Sequence, residues 1–269
     1  MKRTVFHCIC LLTVHVFLCT FPAAAQHHDC DAVEYRAVLT FDMEQRHIDG
    51  AVEIVIRNTS RSPLHEVAFD LRDNDVTQVR VGSLSASYVQ DDTVLTIVLP
   101  RELASLDTAV VHIAYNGTHR ALTPGIYPTG VLFGEQVASA KAQSSAHWYV
   151  SMTCHWLPCN NVFADKAIYD ITFDVPAGYV AAGQGSLIDA QCGGSRSRFH
   201  WRMRDPIHPH TAGWAVGPYF HITDEINGVP VDYYVLKSFH LRVRDYFVRL
   251  TDMIATFEHA WGSYLAEKI

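Results

Sequence analysis

Residues 156–219, WLPCNNVFADKAIYDITFDVPAGYVAAGQGSLIDAQCGGSRSRFHWRMRDPIHPHTAGWAVGPY, decide the fold. The run opens on a tight corner, Trp156-Leu157-Pro158-Cys159, with Lys166-Ala167 behind it. Residues 168–175 then alternate apolar and polar side chains, which is the period of a half-buried strand. The strand runs into a turn, Pro176-Ala177-Gly178-Tyr179, and residues 211–217 supply a small-residue strand ending at Pro218. Further strand signals fall at 180–183, 199–203 and 231–236.

The residues upstream repeat the pattern. Val33, Tyr35, Ala37, Leu39 and Phe41 share one face, with Glu34, Arg36 and Thr40 on the other. A turn is expected at His47-Ile48-Asp49-Gly50. Val52, Ile54 and Ile56 form the next apolar face and Val67, Phe69 and Leu71 a third, with shorter runs at 94–99 and 109–115. Strands this closely spaced leave little room for crossover helices. They predict a mainly β fold, an antiparallel saddle or sandwich. Residues 117–150 are the least regular and read as a functional loop or a poorly ordered segment.

The period changes near the end. Val243, Phe247, Leu250, Ile254, Phe257, Trp261 and Leu265 recur at steps of three and four, the stripe of one amphipathic α-helix with Ser238 as its N-cap. The expected division is a leader at 1–25, a β domain at 26–236, and a linker with helix at 237–269. A lone helix cannot cover its own apolar stripe. Either the helix folds back on the β domain, or the partner of that face is a second domain or a second copy of the chain.

Lys2 and Arg3, the apolar run 5–21 and Ala23-Ala24-Ala25 have the layout of a secretory signal. His7 and His15 interrupt a run already short for a membrane anchor. The expectation is export, to the periplasm or outside the cell, with cleavage near Ala25. Cleavage removes two bases, taking Lys+Arg from 21 to 19 against 28 Asp+Glu. That balance argues against nucleic acid or an anionic membrane as partner. Cys30, Cys154, Cys159 and Cys192 remain, and Cys154 with Cys159 could bridge across a turn, although four cysteines permit three connectivities. Two glycosylation sequons, Asn58-Thr59-Ser60 and Asn116-Gly117-Thr118, are present.

The corner, the Asp165-Lys166-Ala167 segment, the following strand and turn, and the Gly262, Tyr264, Lys268 segment after the helix resemble the amino-terminal β domain of M1 zinc aminopeptidases over roughly residues 33–269. The resemblance implies a β domain leading into a thermolysin-like catalytic domain that carries zinc. Such enzymes grip the metal with His-Glu-x-x-His on a helix and hold the substrate amine with Gly-x-Met-Glu-Asn. None of the 16 histidines has another four positions away, and Gly-x-Met-Glu-Asn is absent. The expectation is a chain with no cofactor of its own, inactive alone and truncated before the catalytic domain, with peptides engaged only in the whole enzyme.

The family's β domain lends a Gln or Glu to the amine pocket about ten residues before the corner cysteine. Tyr149 stands there, with Glu135 and Gln136 the nearest acid and amide upstream. The usual Ala-Arg is Thr153-Cys154, and the usual Asp is Asn161. A metal cluster of His147, Cys154, His155 and Cys159 is a weaker alternative, because its spacing is loose. Asp70, Asp73 and Asp75 lack the pattern of a calcium loop. Other readings are a stand-alone exported scaffold with this β fold and no peptidase activity, or an unrelated β-sandwich adhesion module.

Overall fold

The computed structural model describes residues 29–121, 130–141, 152–239 and 243–269. The leader at 1–25, His147, Trp148 and Tyr149 lie outside them. In chain order the strands are β1 Cys30–Asp42, β2 His47–Asn58, β3 Leu64–Asp70, β4 Asp75–Val81, β5 Leu84–Ser85, β6 Tyr88–Gln90, β7 Val94–Leu103, β8 Thr108–Thr118 and β9 Arg120–Ala121. There follow β10 Gly130–Phe133, β11 Ala138–Lys141, β12 Ile168–Pro176, β13 Val180–Ala182, β14 Ser186–Gly193, β15 Arg196–Arg202, β16 Ala215–Gly217, β17 Tyr219–Ile226 and β18 Val229–Leu236. Two helical segments come last, α1 Val243–Tyr246 and α2 Leu250–Trp261. The chain is mainly β with helix at its carboxyl end, as its periodicities predict.

Eight strands build the main sheet in the order β14-β15-β12-β1-β2-β8-β4-β5. All neighbours in it are antiparallel except β1 and β12. A five-stranded sheet, β13-β16-β11-β10-β9, and a three-stranded one, β3-β7-β6, complete the layers. One apolar core joins all three. It takes Tyr35, Leu39 and Phe41 from β1, Ile54 from β2, Phe69 and Ile97 from the three-stranded sheet, and Phe133 and Val216 from the five-stranded one. Burying the alternate face of each strand is the main favourable term in such a sandwich.

Several expectations are corrected in detail. Val33 drops out of the β1 series because a bulge falls between Ala32 and Glu34. The first turn is at residues 43–46, where Asp42 Oδ1 accepts from the amides of Glu44 and Gln45 and Arg46 takes φ 56°. Gly50 is therefore inside β2, and it is glycine for packing: a Cβ there would collide with the Tyr115 ring. The segment read as a long loop holds β9, β10 and β11. The small-residue run before Pro218 is a 3-10 turn, Pro209–Thr211, and only three residues of strand.

The apolar stripe is broken. α1 ends at Tyr246 and α2 starts at Leu250, with Ser238 in a turn well before either. Of the seven stripe residues, Val243 and Ile254 are buried, whereas Phe247, Phe257, Trp261 and Leu265 are exposed, the last two at 85% and 92%. Ile254 meets Ile226 and Val231 of the β17–β18 hairpin, with Leu250 and Ile269 against them. The Ile269 amide donates to the Pro230 carbonyl and its own carbonyl accepts from the Asp232 amide, both at 2.9 Å. This pairs Ile269 in parallel with β18, with α2 as the crossover.

Candidate functional site

The corner is a buried junction between strands. Trp156, Leu157 and Cys159 are fully buried. Tyr115 of β8 donates its hydroxyl to the Trp156 carbonyl at 2.7 Å. Trp156 meets Trp214 edge-on at 6.3 Å, and Trp214 meets Phe41 of β1 at 4.8 Å. Cys159 forms an antiparallel bridge with Asp70 at the end of β3, with N–O distances of 2.9 and 3.1 Å. Asn160 donates its amide to the Tyr35 hydroxyl and its Nδ2 to the Cys30 carbonyl. The Pro-Cys corner thus ties the ends of β1, β3 and β8 together, and the sequence around it is set by packing.

Glu135 and Gln136 occupy the exposed tip of the β10–β11 hairpin, where Gly134 N–H donates to the Val137 carbonyl at 2.7 Å. Cys154 and Cys159, a possible pair on sequence, are free, buried thiols here. Burial pushes the Cys154 thiol up to about 12 and Cys159 higher in the same direction. Both are neutral and poor nucleophiles. Asn58 is fully buried, with its Nδ2 on the carbonyls of Ser62 and Leu103, so that sequon cannot carry a glycan in the folded chain.

Sequence reasoning missed two polar groupings beside the corner. His155 Nδ1 lies 2.6 Å from Asp73 Oδ2, and Asn74 Nδ2 donates to the His155 carbonyl. Asp73 and His155 are 82 positions apart, and no motif links them. The second grouping is the buried Asp165 beside Asp31. Burial pushes the Asp165 carboxyl up to about 7, and Asp31 adds to the rise. His119 is pushed down to about 4 by burial and stacks on Phe133 at 6.2 Å.

An imidazole held by a carboxylate is half of a nucleophilic device, and among the described residues no hydroxyl or thiol is hydrogen-bonded to it. Thr153 donates its hydroxyl to the Pro209 carbonyl, and Cys154 is held neutral. Among the described residues no group of three or more His, Cys, Asp or Glu converges to hold a metal. Among them, too, no helix is long and apolar enough to cross a membrane.

No protein-family model matches the sequence, and no curated protein sequence is similar to it. Solved structures are similar. A crystal structure of an M1 zinc metallopeptidase from Deinococcus radiodurans superimposes with a TM-score of 0.71 at 21% identity. A mutant form bound to a Tyr-Ser-Ala substrate gives 0.70 at 21%. The fold is one found in M1 zinc metallopeptidases. Each alignment covers 90% of this chain and 56% of the enzyme chain, so the present chain spans little more than half the length of the structures it matches. A two-domain M1 zinc metallopeptidase mutant bound to L-tryptophan aligns equally well, at TM-score 0.70 and 21% identity.

Proposed function

We propose that this chain is the non-catalytic amino-terminal β domain of an exported M1-type zinc metallo-aminopeptidase. In this reading it packs on a catalytic unit and helps shape the pocket for the peptide's amino terminus. The likeness in fold supports it, and so does the absence of His-Glu-x-x-His and Gly-x-Met-Glu-Asn from the sequence.

The observation that carries the proposal is the uncovered face of α2. Met253, Phe257 and Trp261 are exposed on a helix that has already begun a second small core with β17 and β18, and Leu265 is exposed just beyond it. Exposed apolar surface of that extent on a soluble fold marks an interaction site. The β18–α2–Ile269 arrangement is a parallel crossover unit of the kind that starts an α/β domain, and the occupant to which we assign the face is the rest of a catalytic unit.

Without that unit, the purified chain should self-associate or bind an apolar dye through this face. The double substitution Phe257→Ser with Trp261→Ser should reduce sedimentation-detected association and dye binding severalfold while leaving the β-sheet circular dichroism unchanged. Equal behaviour of the two proteins would remove the face as a docking surface.

A further inference from the structure

The outer face of the main sheet carries a trough of about 430 Å³ that the corner, the α2 face and the proposed peptidase role leave unused. Its rim is a row of polar side chains, one from each of five neighbouring strands, and Arg202 continues the row on a sixth. Register places Arg202 opposite Asp170, Asp170 opposite Arg36, Arg36 opposite Glu53, Glu53 opposite His112, and His112 opposite Arg80.

Most of the row is satisfied internally. Arg202 pairs with Asp170 and with Glu34. Arg36 pairs with Glu34 and reaches Glu53 at 3.9 Å, and His112 Nδ1 lies 3.4 Å from Glu53. Arg80 ends the row half-buried, with no ion pair or hydrogen bond among the described residues.

One register step away the strands present Thr172, Val38, Ala51, Ala114 and Gln78 in a line. A water-facing sheet surface is ordinarily covered by long polar side chains. Here the central three positions are short and apolar, with Val38 38% exposed. The floor therefore lies below the charged rim, and Gln78 offers an amide at the Arg80 end.

We propose that this trough binds a small carboxylate with a short apolar body. The carboxylate would take the Arg80 guanidinium in the two-pronged geometry that arginine favours, with its body over Ala51 and Ala114 and a hydrogen bond from Gln78. The volume is in the range of small-molecule sites. Charge selects a monoanion over a dianion, since one unpaired guanidinium sits in a rim that also holds Glu53 and Asp170, on a chain of net charge −7.

The test is a titration of the full chain, followed by backbone amide chemical shifts, with N-acetyl-alanyl-alanine as probe. Its carboxyl-amidated form and inorganic phosphate are the comparisons. The expected result is saturable shifts confined to Ala51, Gln78, Ala114 and their neighbours, at least tenfold weaker binding of the amidated form, and weaker binding of phosphate. Arg80→Gln should lose at least tenfold in affinity, while Arg101→Gln, outside the trough, should not change it. Both substitutions are at the surface, and unchanged melting temperatures would confirm that both variants fold. Absence of saturable shifts, equal binding of the acid and its amide, tighter binding of phosphate, or indifference to Arg80→Gln would each overturn the assignment.

Discussion

At the residue scale the corner is held by a few polar contacts in an apolar setting, and their removal should be costly. Tyr115→Phe deletes the hydroxyl on the Trp156 carbonyl and leaves that buried acceptor without its donor. An unsatisfied buried group of this kind costs about 1–3 kcal/mol. A urea unfolding curve should show the midpoint falling accordingly with the slope unchanged. Asp165 makes a prediction in pH. Its folded-state value, raised to about 7 from 3.8, means that the native chain holds a proton the unfolded chain has released. Stability from this group is thus fully present below about pH 4 and is lost as pH rises towards 7. Asp165→Asn should remove that part of the slope when unfolding is measured between pH 4.5 and 7.5. An unaltered slope would show that the carboxyl is ionised in the fold.

At the element scale, the last residues clamp the helix and hairpin to the β domain. Glu267 accepts from the Ser186 hydroxyl and the Arg204 amide. Lys268 Nζ donates to the Gly183 carbonyl at 3.0 Å, lies 3.5 Å from the centroid of the Trp201 ring and is 3.9 Å from Asp232. Lys268→Met removes the donor and the cation over the ring, worth about 0.5–2 kcal/mol for the latter. Amide hydrogen exchange should accelerate at Asp232 and Ile269 and stay constant in β1 and β2, because the opening is local. Unchanged exchange at Asp232 and Ile269 would show that the tail is held elsewhere.

Element type was legible where one face is buried and the other wet. β2 and β12 alternate cleanly, and both were readable from period alone. β14 was not, since all eight of its residues are exposed at the sheet edge and no alternation marks it. The helix was legible as a stripe, but its interruption between Tyr246 and Leu250 leaves the spacing of apolar residues undisturbed, so period could not reveal it.

At the scale of the whole molecule the architecture depends on pairings that no local signal encodes. The parallel contact of β1 with β12 joins Glu34 to Ile168 and Thr40 to Asp174, across about half of the chain. The corner residues carried the fold in the sequence because they fix that crossing. Of the candidate pocket residues Glu135 and Gln136 are at an exposed hairpin tip, and the Asp73–His155 pair joins segments far apart in sequence.

The central claim is that a β fold found in M1 zinc metallopeptidases is present here without the chemistry of the enzyme. The most direct test is hydrolysis of aminoacyl-anilides by the purified protein, with and without added zinc, beside a determination of bound zinc. The account predicts no turnover above buffer and no stoichiometric metal in either condition. Zinc-dependent turnover with one metal per chain would contradict it and direct attention to His147, Cys154, His155 and Cys159.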